Sequence, residues 1–423
     1  MSLSTNPFGA YDAPLSGSPF IGRKAALRVI EQRVLAVQEP GNLSIVGLPR
    51  IGKTRLIYHV MFEREFLPAT RTLLPIWINL ADYEQPEAFF RALAQKCIEQ
   101  VTHLGWSTNA VQRAADAALQ EGISWSESYA RVQRYMQKLR QSRPGIRIVC
   151  VLDNFDAAAE LFKTDPTYFS SIRGLYENPA WRVTFITLSQ HPLREIELLA
   201  QGVPTLRVPF QEYYLTLFDT ADMQEYYALL AAAGLTTSDA LAERIEWYAG
   251  KHPYLLARLG SRLVETWHEN QQVNVDNAFQ HVEADFRAYY AVATPLVGVP
   301  SAILLHICSD NAKDDGTPTR GVATAQHADI DTLIRYGLIQ QTPEGYKAFS
   351  QHFQAYVREK MPVAGDQQED EDNEEFDEDW SDDDWRIELE TDEMKLHEPL
   401  AAEDTSGAHL WSCLLYTSPS PRD

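Results

Sequence analysis

Gly47-Leu48-Pro49-Arg50-Ile51-Gly52-Lys53-Thr54 is a complete G-x-x-x-x-G-K-[ST] phosphate-binding loop, and it constrains this chain more than any other stretch. Leu43-Ser44-Ile45-Val46 before it reads as a short buried strand. Arg55-Leu56-Ile57-Tyr58-His59-Val60-Met61 after it opens an apolar-periodic helix. Gly47 and Gly52 let the backbone turn tightly round a phosphate and present successive N–H groups to it. The helix N-terminus behind the loop adds the positive end of its dipole. In this arrangement Lys53 reaches the β- and γ-phosphates of a nucleoside triphosphate, and the Thr54 hydroxyl ligates Mg²⁺. Arg55, directly after Thr54, counts among the nucleotide-binding candidates.

A second motif follows about a hundred residues on. Arg147-Ile148-Val149-Cys150-Val151-Leu152-Asp153 is an apolar run closed by a carboxylate. Such a run suits a central parallel strand covered on both faces. An aspartate at its C-terminal end then lies beside the phosphate loop and can hold Mg²⁺. Thr54 and Asp153 are therefore the metal candidates. An acidic residue directly after this aspartate would orient and deprotonate the attacking water, but the chain has Asn154, and the next carboxylate is Asp156. Asparagine can position water without accepting its proton. Asp153, Asn154 and Asp156 are the catalytic candidates, and the expectation is secure binding with slow hydrolysis of ATP to ADP and phosphate.

The formal net charge of −22 is unevenly spread. From Met361 onward there are 21 acidic and 3 basic residues; the preceding 360 carry 38 and 34. A body this close to neutral disfavours broad electrostatic binding to nucleic acid. Cys97, Cys150, Cys308 and Cys413 lack metal-ligand spacing and read as small core residues of a reducing compartment. The N-terminus carries no secretory pattern. The uncharged stretch Ala288 to Ser309 is broken by Pro295, Gly298 and Pro300, so a buried helix after a turn is expected there rather than a membrane span. A cytoplasmic protein is expected.

Residues 1–19, rich in Pro, Gly and Ser, read as a flexible arm. Residues 20–215 alternate strands and helices, giving an α/β fold, a parallel sheet wrapped by helices on both faces. Its strands are expected at Leu43–Gly47, Thr72–Leu80, the Asp153 run, Trp181–Leu188 and, last, Thr205–Phe210. A helical insertion, Ala110 to Gly122, precedes the Asp153 run. Residues 216–272 read as a helical lid. Residues 273–362 read as a winged helix: a helix ended by Gly337, a hairpin over Leu338–Phe349, and a closing helix Gln351 to Lys360. Its presumed recognition helix carries Arg335 against Asp329 and Asp331, so a protein-contact wing is favoured over a DNA reader. Residues 363–412 form a dense acidic linker that cannot bury enough surface to order, either a solubilising spacer or a peptide for a basic partner.

With these elements in order, residues 18–360 resemble the STAND branch of AAA-like P-loop ATPases, the signal-transduction ATPases with numerous domains. In that family a Phe-x-Gly-Arg element before the P-loop lies near the adenine; it matches Phe20, Gly22 and Arg23. A Gly-x-Pro-type element of the lid contacts the nucleotide; it matches Gly250-Lys251-His252-Pro253, which makes His252 and Pro253 site candidates. The sensor position after the strand Val183–Leu188 often carries arginine in the family; here it reads Ser189-Gln190-His191, with Arg194 further on. The resemblance implies an ATP/ADP- and Mg²⁺-dependent switch in signalling or defence. It also implies self-association in the ATP state and an output through a protein partner or a C-terminal effector. Archaeal origin-recognition ATPases share the layout, wing included, and supply the alternative, a DNA-binding ATPase. Residues 413–423 resemble the translation of a sequencing adapter, which would make that segment non-native and have the natural protein continue beyond about Ser412.

Overall fold

Unbroken apolar strands set the centre of the structure. The computed structural model describes residues 6–9, 19–35, 40–63, 73–120, 122–299, 301–308, 324–343 and 345–360. Five parallel strands, β1 (Asn42–Val46), β2 (Leu73–Asn79), β3 (Arg147–Asp153), β4 (Val183–Ser189) and β5 (Phe210–Tyr214), lie in the order β2-β3-β4-β1-β5. Successive side chains of a strand face opposite ways. Ile148, Cys150 and Leu152 of β3 accordingly join Leu74, Ile76, Ile78, Val183 and Phe185 in one core, under the helices Pro86–His103, Asn109–Ala118, Trp125–Ser142 and Thr167–Glu177. Val149 and Val151 join Leu43, Ile45, Ile186 and Leu188 in a second core on the other face, under Lys24–Ile30 and Lys53–Tyr58. A sheet covered on both faces needs unbroken apolar strands, which is why β3 and β4 stand out in the sequence. Pro75 is tolerated because β2 is an edge strand.

The last strand differs from the expectation at Thr205–Phe210. Val208 is 84% exposed, and the strand starts at Phe210 instead. Phe210-Gln211-Glu212-Tyr213-Tyr214 has no clean alternation; its pairing with β1 along Asn42–Val46 makes it a strand. The uncharged stretch forms two helices, Glu283–Leu296 and Ser301–Cys308, with Gly298 in the left-handed region between them. Among the described residues no helix is long and apolar enough to cross a membrane.

Three helices, Thr220–Ala232, Asp239–Ala249 and Pro253–Asn270, follow the sheet, and then Val275–Gln280, Glu283–Leu296, Ser301–Cys308 and Thr324–Tyr336. A hairpin of β6 (Ile339–Thr342) and β7 (Gly345–Ala348) and the helix Gln351–Lys360 complete the winged arrangement. Lid and wing share one core: Tyr226, Leu256 and Leu259 pack with Phe286, Tyr290, Leu333 and Phe353. Part of the expected flexible arm belongs to this core as well. The Asn6 amide donates to the Ser261 carbonyl and hydroxyl oxygens at 3.2 and 3.0 Å, and Phe8 is buried against Tyr226. The acidic linker 363–412 and the segment 413–423 lie outside the described residues.

Asp222 holds the lid's first helix to the sheet domain. It completes a capping box with Asp219, and its Oδ1 accepts the buried Arg23 N–H at 3.0 Å. Asp222→Ala removes half of the cap and strands that N–H, so a loss of about 2–3 kcal/mol is expected in urea unfolding. Asp219→Ala, which loses the cap alone, should cost about 1 kcal/mol. Equal costs for the two variants would contradict this assignment.

Candidate nucleotide-binding site

The phosphate loop runs from the end of β1 into the helix Lys53–Tyr58. Gly47 N–H donates to the Ser189 carbonyl at 3.2 Å, anchoring the loop to the neighbouring strand β4. Gly52 caps the helix with φ +98°, a conformation that any side chain would strain. The Lys53 ammonium turns back on the loop, donating to the carbonyls of Gly47 and Leu48 at 2.6 and 3.0 Å. Burial pushes its pKa down to about 8, against the opposing pull of Asp156 and Asp153. The Thr54 hydroxyl donates to the Asp153 carboxylate at 3.2 Å. Burial raises the Asp153 carboxyl, and the bonds from Asn154 N–H and Thr54 work the other way.

These groups line a cavity of about 600 Å³ whose far wall is the lid. Arg50 to Arg55, Asp153, Asn154 and Gln190 form its polar end. Phe8, Phe20, Ile21, Phe218, Tyr226 and Leu229 form an apolar end. The size falls in the ordinary range for small-molecule sites. The residues fit a magnesium nucleotide: two hard oxygen donors meet at Thr54 and Asp153, which suits an ion usually held by one or two protein oxygens together with phosphate and water. A buried ammonium lies next to them, and the apolar end can take a base.

The structure also shows what the other sequence candidates do. Phe20 lines the cavity and stacks on His59, with ring centroids 4.0 Å apart. Arg55 lines it too, with its guanidinium on Glu63 at 2.7 Å and over the Phe20 ring. Gly22 (φ +66°) packs so tightly against Asp222 that a Cβ would come within 2.2 Å of its carboxylate. Arg23 borders the cavity, but its guanidinium is committed to the backbone. It donates to the carbonyls of Thr216, Leu217 and Ile51 at 2.6, 3.3 and 2.8 Å and lies over Phe218. It serves as a brace here. Burial brings its pKa down to about 10. Pro253 lines the cavity; His252, next to it, does not. His252 is 1% exposed beside Tyr289, and burial, with Arg23 nearby, drives its pKa down to about 3, so it is a neutral core residue.

Asn154 and Asp156 are likewise engaged. The Asn154 amide donates to the Asn79 side-chain oxygen at 2.8 Å. Asp156 accepts from the Gln190 and His191 N–H groups at 2.7 and 3.0 Å, and its partner at 2.8 Å is His191 Nδ1. Asp156 thus lines the cavity while its carboxylate fixes the loop after β4. On the other side of that loop, the Tyr336 hydroxyl of the wing donates to the Gln190 carbonyl at 2.8 Å. Two features escaped sequence reasoning: the contribution of Pro7 and Phe8 to the cavity wall, and Tyr254, which lines the cavity beside Pro253. Neither carries a motif; the aromatic rings of Phe8 and Tyr254 were the one available signal.

No protein-family model matches the chain, and no curated protein matches it. Among solved structures it is similar to the Walker-type ATPase of Pyrococcus abyssi, with 13% identity and a TM-score of 0.51 over 80% of this chain and 96% of that one. The ORC2 protein of Aeropyrum pernix in its ADPNP–ADP complexes aligns at 14% identity and a TM-score of 0.44, covering 82% and 98%. Cdc6p of Pyrobaculum aerophilum aligns at 12% and 0.40, covering 82% and 96%. At such identities the likeness is one of fold: this is a P-loop ATPase fold, a parallel sheet followed by a helical lid and a winged helix.

The Asp156–His191 pair gives the site a pH signature. Burial alone would raise the Asp156 carboxyl, but His191 and the two backbone N–H groups hold it below its ordinary 3.8. The bond to Asp156, reinforced by Glu195 and the Leu296 carbonyl, lifts His191 above its ordinary 6.5 against the pull of burial. The carboxyl's contribution is complete above its unfolded value and fades as pH falls through its lower folded value. The imidazole's contribution is complete below 6.5 and fades as pH rises through its higher folded value. The Tm of the nucleotide-free protein should therefore decline on the alkaline side of pH 6.5, and His191→Gln should flatten that decline. An unchanged slope in the variant would contradict the pairing.

Proposed function

We propose that the protein binds Mg·ATP between its sheet domain and its lid, turns it over slowly, and uses the nucleotide to set the relative pose of sheet, lid and wing. The observation that carries this reading is the cluster of Lys53, Thr54 and Asp153 at one end of a cavity closed by the lid. Bound there, the magnesium ion would neutralise charge on the phosphates and orient the reacting groups. Lys53, released from the Gly47 and Leu48 carbonyls, would hold phosphate oxygens; Thr54 and Asp153 would hold the metal. Slow turnover follows from the engagement of Asn154 with Asn79 and of Asp156 with the loop at Gln190 and His191. Asn154 cannot take a proton from water, and the Asp156 carboxylate already accepts from Gln190 and His191.

Two outputs share this core. The matched structures reported above are named as Walker-type, ORC and Cdc6 proteins, and none as a signal-transduction ATPase, so the comparisons lend the STAND switch no support. The origin-recognition-like alternative accords better with them, and one further match is titled as the Aeropyrum pernix ORC1 protein in complex with DNA. In this chain, however, the end of the presumed recognition helix is turned to the sheet domain. Arg335 lies over the Tyr214 ring, and Tyr336 bonds Gln190. A DNA-reading wing would have to leave this contact. Self-association in the ATP state and a protein partner for the wing belong to the same proposal.

Lys53→Ala should weaken ATP binding by about 10- to 100-fold in titration calorimetry, the worth of one charge-assisted phosphate contact. Equal affinity in wild type and variant would refute the site. For the output, anisotropy of a labelled 20-mer duplex with ATP separates the readings. Binding that falls steeply with salt supports the origin-like reading, and its absence at low salt removes that reading.

A further inference from the structure

The phosphate loop carries a second cation at the mouth of the cavity, and that cation touches the lid. Arg50, three residues before Lys53, sits in the left-handed region with φ +59°, a costly backbone for a residue with a side chain. It is exposed and lines the cavity with Lys53, Thr54 and Gln190. Its guanidinium carbon lies 4.4 Å from the ring centroid of Tyr254, the second residue of the lid helix Pro253–Asn270. Among the described residues, Arg50–Tyr254 is the one cation–ring contact that joins the phosphate loop to the lid.

We propose that Arg50 is a phosphate-sensing latch that exchanges the Tyr254 ring for the terminal phosphate of a bound triphosphate. The inference rests on the nucleotide-binding reading above and deepens it. An exposed cation–ring contact is weak. An arginine–phosphate contact is charge-assisted, often two-pronged, and stronger. A triphosphate in the cavity therefore draws Arg50 off the lid helix. A diphosphate has no γ-phosphate to offer and leaves Arg50 on Tyr254. The strained backbone serves the same end: it holds the side chain at the cavity mouth, where both partners are in reach. Arg50 thereby discriminates ATP from ADP, and the freed N-terminus of the lid helix carries the difference onward.

The test is the pair of dissociation constants for Mg·ATP and Mg·ADP, by titration calorimetry on the full chain, in wild type, Arg50→Ala, Arg50→Gly and Tyr254→Leu. Arg50→Gly relieves the left-handed backbone, so it keeps the loop foldable while removing the cation. Both Arg50 variants should lose about 10- to 100-fold in ATP affinity and less than about 3-fold in ADP affinity. Tyr254→Leu, which removes the competing ring, should leave the ATP preference at or above the wild-type value. Equal losses for both nucleotides, or no loss for either, would make Arg50 a plain staple and overturn the proposal. Failure of the underlying reading looks different: wild type and Lys53→Ala would then bind both nucleotides alike or not at all.

Discussion

The buried Arg23 guanidinium is the joint on which the site depends. A charge taken out of water must find partners or be expelled. Arg23 finds them on two segments: the phosphate loop through the Ile51 carbonyl, and the linker after β5 through the carbonyls of Thr216 and Leu217. Its backbone N–H, meanwhile, is held by Asp222 at the start of the lid. Nearby, Glu225 accepts the Gly22 N–H at 2.7 Å and pairs with Lys24 at 2.9 Å. The entry to the first helix, the loop, the linker and the lid therefore meet around one side chain. The cavity lies between the parts it joins, which is the arrangement that the proposed coupling of nucleotide and lid requires.

A second connection leaves the cavity at its polar end. Asp156, three residues past the metal-binding candidate Asp153, fixes the backbone N–H groups of Gln190 and His191, and Tyr336 of the wing holds the Gln190 carbonyl. Tyr214 packs edge-on against Tyr336. Wing and lid also share a continuous core, so a change registered at Gln190 meets a packed element and not a floppy one. Such cores tend to move between discrete arrangements, not to deform smoothly.

How much of this was legible in the sequence depended on where the determining information lay. The α/β fold and four strands were legible because a sheet covered on both faces writes itself as apolar runs, as in Ile148–Leu152 and Val183–Leu188. β5 was misplaced because its strand character comes from pairing with β1, while the apolar Val208 just before it is solvent-exposed. The loop, Thr54 and Asp153 were legible because a motif at a strand end fixes both position and direction. Arg23 and His252 show the limit: resemblance placed them near the nucleotide, but only packing decides which way a side chain points. Arg23 borders the cavity with its guanidinium spent on backbone carbonyls, and His252 lies in the core beside it. Asn6 and Phe8 were hidden in a Pro-, Gly- and Ser-rich arm whose composition gives no hint of an anchoring contact.

On the proposed function, nucleotide in the cavity changes how the lid sits on the sheet domain. The most direct test is the distance between a label at Gln95, exposed on the helix Pro86–His103, and one at Glu243, exposed on the lid helix Asp239–Ala249, read by single-molecule energy transfer. One distance distribution is expected with Mg·ADP and a shifted one with a non-hydrolysable Mg·ATP analogue, and Lys53→Ala should abolish the shift. Identical distributions in both nucleotides, with binding confirmed, would contradict it.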